Sequence, residues 1–334
     1  MVVYLTEPGC IMRKDGGKFI VQKGDDVLAE IPSAKIEAVV ISRGSHVTSV
    51  VCEDLLDRGV PMTYIDHAGK FKGRLESAIH YNIERMALQF DRYYDESFCL
   101  DIGKKIIFGK LANSRVVLRR YNRNACDSRV KKIINEIGAY EADIGSSKTV
   151  QQLFGYEGMF SKLYFEGLSC LVCNEAKFIG RSKRPPKDPF NSLLSFGYSL
   201  LLNEIYTSIT HKGLNPFVGV MHRIRNGHPA LASDLMEEWR PLMVDSMALK
   251  FINGATFKAV DFTVDSRTGG VYLNRDDSKK FIGHFETRLL KTNKYVDDIV
   301  SPMTFRETLQ YQINLFVKAI EEKNPDLYGA VVIR

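Results

Sequence analysis

The spacing of apolar positions changes character once along the 334-residue chain. Up to about residue 76 it reads as strands. Cys10 to Lys14 and Lys18 to Gln22 flank Asp15-Gly16-Gly17, a hairpin signal, because glycine reaches the backbone angles of a tight two-residue turn. Val27 to Ile31 alternates until Pro32 ends it. Ile36 to Ser42 is a β-branched run that predicts another strand, and Val47 to Arg58 predicts a helix closed by Gly59. Val60 to Ile65 returns to strand, turns at His67-Ala68-Gly69 and continues through Phe71 to Leu75. Short strands at this spacing predict a small sandwich or roll. From residue 77 the period lengthens to about 3.6 and predicts helices over 80–97, 102–122, 127–142, 157–175, 191–211, 230–252 and 305–323. Thr304 and Glu307 form a capping box before the last of these. Leu309, Ile313, Phe316, Val317 and Ile320 then fall on one stripe. The expected class is multidomain α+β: a β-rich domain over 1–76 and a larger all-helical domain over 77–334. No repeat, low-complexity tract or dinucleotide-binding glycine fingerprint interrupts this plan.

Composition narrows the class without naming a function. A hydrophobic share of 45% and a charged share of 26% are ordinary for a globular protein. No 18-residue apolar run suggests a membrane span. The opening Met1-Val2-Val3-Tyr4-Leu5 has no basic leader, so the expected location is the cytoplasm. The six cysteines are scattered and do not read as a secreted disulfide framework. Cys170 and Cys173 have zinc-knuckle spacing but no second pair, and core packing is the expected use.

Net charge is only +6, but its distribution is uneven. Between Lys104 and Lys132 there are ten basic residues against the single acid Asp127, a window of +9. Arg115, Arg119 and Arg123 repeat every four residues and form one helical stripe. Like charges so placed cost helix stability, so the stripe reads either as a solvated face or as a surface for a polyanion. The Pro-rich loop carrying Arg181, Lys183 and Arg184 has the same two readings, connector or phosphate contact.

The candidate chemistry is acidic, with one imidazole. Asp234 and Glu237 stand three residues apart where Pro229 suits a helix start, so both can share a face. Two close carboxylates repel and need a cation. By pattern alone, a helix-dipole partner and a surface acid are the simpler explanation. Pro241 should bend this helix. His222 ends the apolar run Phe217 to Met221, and Glu157 sits in Gly155-Tyr156-Glu157-Gly158, apparently at a helix start. Periodicity cannot bring Glu157 to His222. Mixed oxygen and nitrogen donors suit Mg²⁺ or Mn²⁺.

Four stretches, in order, resemble one family: Gly155-Tyr156-Glu157-Gly158 through Tyr164; Arg184-Pro185-Pro186-Lys187-Asp188-Pro189-Phe190-Asn191 through Tyr198; Asn215-Pro216-Phe217-Val218-Gly219-Val220-Met221-His222; and Leu231 through Asp245, containing Asp234, Glu237 and Arg240. Ile65-Asp66-His67 also resembles that family's last N-terminal strands. It is the CRISPR-associated protein one family, the integrase of CRISPR adaptation, and the likeness spans nearly the whole chain. The resemblance implies an N-terminal β-sandwich-like domain, a helical C-terminal domain and a homodimer. It also implies two such dimers around a dimer of a small second adaptation protein, in a prokaryotic cytoplasm. It implies that Glu157, His222 and Glu237 hold Mg²⁺ or Mn²⁺ and act in catalysis, with Asp234 as a further ligand or as support for one. Ala230 stands where Ser is frequent and Trp239 where Phe is usual; neither replaces a ligand.

The implied activity is metal-dependent insertion of short DNA duplexes into the repeat array, a 3′-hydroxyl attacking a phosphodiester at the leader–repeat boundary, with nicking as the hydrolytic counterpart. Arg115, Arg119, Arg123, Arg181, Lys183 and Arg184 are then the expected DNA-backbone contacts. The competing readings are a general nuclease for branched DNA and a DNA-binding scaffold whose acidic cluster is structural.

Overall fold

The structure is a computed structural model describing residues 1–66, 69, 71–172, 178–182, 184–293 and 301–333. It divides into two compact units, Met1–Tyr81 and Asn82–Arg334. The predicted turn residues His67 and Ala68, and Cys173, lie outside the described residues.

The first unit contains two four-stranded sheets. Strands β1 (Val2–Leu5), β5 (Ala38–Ser42), β7 (Met62–Ile65) and β8 (Phe71–Leu75) lie in that order, the first three parallel. The other sheet orders β4 (Asp26–Pro32), β3 (Lys18–Lys23), β2 (Cys10–Asp15) and the short β6 (His46–Val47). The β2–β3 hairpin pairs Asp15 with Lys18, so Gly16 and Gly17 are the turn, and Gly16 takes a left-handed φ of 56°. β5 sits between two parallel neighbours and buries Ala38 through Ile41 without alternation, as a strand covered on both faces does. Helix α1 (Ser49–Asp57) puts Val51 and Leu55 into the same apolar cluster as Val3, Leu5, Met12, Phe19, Val39, Ile41 and Met62. One core therefore joins both sheets, which is the sandwich-like arrangement expected.

The second unit is helical: α2 (Ile83–Tyr93), α3 (Glu96–Ala125), α4 (Ser128–Ser146), α5 (Val150–Leu171), α6 (Pro189–His211), α7 (Ala230–Met236), α8 (Ser246–Asn253), α9 (Arg275–Leu289) and α10 (Phe305–Glu321). Side-chain caps set several starts. The oxygens of Asp95, Asp127, Thr149, Asp188 and Thr304 accept backbone N–H groups of the first turns of α3, α4, α5, α6 and α10. These caps explain two departures from the periodicity. The chain breaks at Asp95, so the predicted 80–97 helix becomes the whole of α2 and the start of α3. Thr149 starts α5 earlier than residue 157, which places Glu157 inside the helix rather than at its start.

The predicted 230–252 helix is also interrupted. A π-helical turn, Arg240–Asp245, separates α7 from α8. Pro241 cannot donate the N–H that would continue the α-helical ladder, and the wider turn absorbs the gap. α9 and the small β-hairpin Phe262–Val264 with Val271–Leu273 were not anticipated. α3, α4 and α5 pack on one another, and α6 packs on α7, the π turn and α8. No described helix is long and apolar enough to cross a membrane.

Candidate functional site

Asp234, on α7, organises one half of the site. It is fully buried and accepts the backbone N–H groups of Val220 at 2.7 Å, Met221 at 2.9 Å and His222 at 3.1 Å. Its Oδ1 also lies 2.5 Å from His222 Nδ1. One carboxylate thus folds the Gly219–His222 loop around itself and fixes the imidazole. A Cβ at Gly219 would come within 2.5 Å of Asp234 Oδ2, so the close approach requires glycine. With Nδ1–H donating to Asp234, Nε2 of a neutral ring carries the lone pair, the arrangement in which histidine ligates metals. Phe154 and His228 pack edge-on against the ring at 5.1 and 5.4 Å. Burial works against charge on His222, but the Asp234 bond outweighs it and raises the pKa above the ordinary 6.5.

The other half is a charged knot. Glu157 from α5 and Glu237 from the end of α7 both meet the ammonium of Lys110 on α3. Lys110 is 7% exposed and Glu237 6%. Lys110 Nζ is 2.7 Å from Glu237 Oε2, a contact without good hydrogen-bond alignment. Arg240 Nη1 sits 2.7 Å from Glu237 Oε1, and Ser161 Oγ donates to Glu157 Oε1 at 2.7 Å. Burial alone would neutralise Lys110 and Glu237. For Glu237, Arg240 and Lys110 overcome burial and hold the carboxyl down at about 2. For Lys110, Glu237 and Glu157 overcome burial and hold the pKa above its ordinary value. Lys110 and Glu237 therefore meet as an ion pair.

The neighbouring carboxylates turn elsewhere. Glu238 accepts from Tyr328 Oη and from the Val331 N–H at 2.6 Å, tying the C-terminal segment to α7; burial pushes it up to about 8. Asp245 accepts Tyr164 Oη at 2.9 Å and Tyr198 Oη at 2.5 Å, and burial raises it to about 6.

The basic candidates divide. Arg119, Arg123 and Arg184 are exposed. Arg115 is half-buried, with Glu141 at 3.7 Å. Arg181 turns inward: its guanidinium donates to Ser182 O, to Asn191 Oδ1 at 2.8 Å and to Ser195 Oγ at 3.1 Å, and lies 5.3 Å from the Tyr198 ring centroid. Lys183 lies outside the described residues. In the sequence Lys110 stands out only as part of the basic window. Its signal is its setting: it shares a helix face with the buried Ile106, Ile107, Asn113 and Ser114, where a lysine needs a partner. Arg240 carried no comparable signal.

Glu157, Glu237 and the Nε2 of His222 are hard donors that match Mg²⁺ or Mn²⁺, and a positive charge already stands between the two carboxylates. The donor set fits such an ion. In the conformation described, the cation is the Lys110 ammonium, and among the described residues no three His, Cys, Asp or Glu side chains are gathered closely enough to hold a metal.

The family model described as CRISPR associated protein Cas1 matches residues 3–287. A CRISPR-associated endonuclease Cas1 of Mycobacterium tuberculosis is 30% identical over 309 residues, 92% of this chain and 90% of that protein. A Cas4 exonuclease/Cas1 endonuclease fusion of Geobacter sulfurreducens is 31% identical over 326 residues; this chain spans 56% of its length. Among solved structures, a Cas6-RT-Cas1–Cas2 complex aligns with a TM-score of 0.85 at 24% identity, over 99% of this chain and 36% of that one. A casposase bound to integration product aligns with a TM-score of 0.83 at 23% identity, over 96% of this chain and 91% of that one. The match across both units places this chain in the CRISPR-associated Cas1 family.

Proposed function

We propose that this chain is a metal-dependent DNA endonuclease and integrase of CRISPR adaptation, joining the 3′-hydroxyl of a short duplex to a phosphodiester at the leader–repeat boundary. The observation that carries this is the pair of carboxylates, Glu157 and Glu237, held around the Lys110 ammonium, with Glu237 at the end of the helix that carries Asp234 and so positions His222. Glu157, Glu237 and His222 Nε2 would hold Mg²⁺ or Mn²⁺; bound there, the ion supplies Lewis-acid stabilisation of charge on the reacting phosphate oxygens. Asp234 holds the imidazole in the ligating tautomer and acts as support rather than as a ligand, since its oxygens are taken up by the loop N–H groups and by Nδ1. Ser161 and Arg240 orient the two glutamates. The reaction displaces one phosphate ester with another, so no protein nucleophile is required.

DNA, a second copy of this chain and a small second adaptation protein are the proposed partners, with two dimers flanking one partner dimer. Casposase bound to integration product and the Cas1–Cas2 assembly support this reading, because both contain the same fold. Arg119, Arg123 and Arg184 are the proposed phosphate contacts. Arg181, whose guanidinium is engaged within the protein, braces the loop instead.

One observation favours a second reading, a DNA-binding scaffold: Lys110 satisfies both glutamates, as in a structural ion-pair network. The test incubates protein and small partner with a 3′-hydroxyl duplex and a repeat-bearing plasmid, in Mn²⁺ or EDTA, beside folded Glu157→Ala, His222→Ala and Glu237→Ala proteins. Joining that is lost in EDTA and in each variant supports the integrase. Loss of fold in Glu157→Ala, or DNA binding without joining by wild type, supports the scaffold. Cleavage of branched DNA lacking repeat sequence, equal to that of repeat DNA, points to a general nuclease.

A further inference from the structure

Lys110 is the unexplained part of this site. A lysine ammonium is seldom buried, and this one lies between the two carboxylates assigned to the metal. It stands on α3 one turn from the buried Ile106 and Ile107, with Nζ 5.9 Å from the Phe160 ring centroid. The surrounding charges are accounted for: Arg240 pairs with the other oxygen of Glu237, and Ser161 donates to the Glu157 oxygen that Lys110 also meets. A divalent ion shared by Glu157 and Glu237 would occupy the space that Nζ fills. Keeping three positive groups there with two carboxylates would leave an excess of buried cationic charge, which is costly.

We propose that Lys110 is a built-in counter-cation: its ammonium holds Glu157 and Glu237 together in the metal-free protein, and the divalent ion binds by displacing it. This rests on the metal reading given above. It makes Lys110 a positioning residue that keeps the empty site folded and sets a threshold for metal loading. Metal-free wild type should therefore be stable, since its glutamates never face each other unscreened.

Mn²⁺ binding, measured by titration calorimetry and by the Mn²⁺-induced shift in melting temperature, tests this on wild type, Lys110→Met and Glu157→Gln. Lys110→Met should melt lower than wild type without metal, bind Mn²⁺ at least tenfold more tightly and gain more stability from it. Equal or weaker Mn²⁺ binding by a folded Lys110→Met overturns the proposal. Because that variant places an apolar side chain between two carboxylates and can fail to fold, wild-type crystals soaked in Mn²⁺ supply a second reading. The anomalous peak should lie on Glu157 and Glu237 with Lys110 Nζ withdrawn from at least one of them. A peak there with Nζ still on both carboxylates overturns displacement. If neither wild type nor Lys110→Met binds Mn²⁺, and Glu157→Gln changes nothing, the metal reading itself fails, a result distinct from unchanged affinity.

Discussion

The two units bury different things. The core of Met1–Tyr81 is a cluster of aliphatic, aromatic and sulfur side chains. Among the described residues, the ionisable residues buried as whole residues, Lys110, Asp234, Glu237, Glu238, Asp245, Asp277 and Arg306, belong to Asn82–Arg334, whereas the first unit buries the side chain of Arg74, beside Glu76 at 2.8 Å. Apolar burial stabilises without direction, whereas buried charge costs free energy unless each group is paired. The helical unit carries that cost and pairs the charges with care. The contrast sets a region of mainly apolar packing against one whose interior gathers ionisable groups, and it implies that the same class of substitution should act differently in each.

The largest effects test this difference directly. Phe19→Ala removes a fully buried ring from the first unit and should cost about 3–5 kcal/mol. Calorimetry should show it, and a loss below about 1 kcal/mol would mean that this core is looser than its burial indicates. In the helical unit, Glu238→Ala leaves Tyr328 Oη and the Val331 N–H without their acceptor and should cost about 2–4 kcal/mol. Glu238 also predicts a pH signature. Its carboxyl is held at about 8 in the fold against an ordinary 4.5, so between these values the folded chain keeps a proton that the unfolded chain has lost. Stability should fall as pH rises through that window. Glu238→Gln should flatten the slope, and an unchanged slope would assign it to another group.

Next come the site residues, where function should suffer more than stability. Glu157 is partly exposed, its side chain at 21%, so Glu157→Gln should fold. On the proposed function, removing this ligand should then reduce joining by at least about 100-fold, above the effect typical of groups that merely support a ligand. Near-wild-type joining by this variant would remove Glu157 from the catalytic set.

What could be read from the sequence follows the range of the interaction. Local devices were legible: the Gly16-Gly17 turn, the Thr304–Glu307 box with its stripe, and the disruption at Pro241, each fixed by neighbours within a few residues. α9 was missed because Phe281, Ile282, Phe285 and Leu289 sit among Arg275, Asp276, Lys279, Lys280 and Arg288, which dilute the apolar stripe. The parallel pairing of β1 with β5 joins distant segments and leaves no local mark. For the site, Glu157, His222 and Glu237 were nominated through family resemblance, since no periodicity links α5 to the His222 loop. For Asp234 the sequence leaves both ligand and support open, and the backbone contacts that favour support come from a loop 12–14 residues away, out of reach of helical periodicity. Lys110 depends on α3 meeting α5 and α7, so its role was visible only in three dimensions.

A smaller effect sharpens the role of support. Asp234→Asn keeps the shape but weakens the hold on His222 and should lower Mn²⁺ affinity about 10- to 100-fold. The imidazole titration, followed by NMR, should also move. In wild type, Asp234 holds the His222 pKa above 6.5 despite burial, so the stability from that pair is complete at pH below 6.5 and is lost as pH rises through the raised value. In Asp234→Asn the midpoint should drop. A midpoint that stays put would show that Glu237, not Asp234, sets the charge on the ring.

The smallest effect belongs to the exposed arginines, and it tests the comparison from outside the core. Arg119 and Arg123 lie one turn apart on α3 and are exposed, so neither supports the fold through burial. Replacing either with Ala should leave the melting temperature nearly unchanged. If they contact phosphates, each substitution should weaken DNA binding by a similar factor for every sequence and reduce the slope of log affinity against log salt by about 1. Half-buried Arg115, already facing Glu141, should contribute less. A steeper loss for Arg115→Ala than for Arg119→Ala would mean that α4 moves when DNA binds and releases the Glu141 pair. Unchanged salt slopes for Arg119→Ala and Arg123→Ala would make the stripe a solvated face and shift the DNA surface toward Arg184.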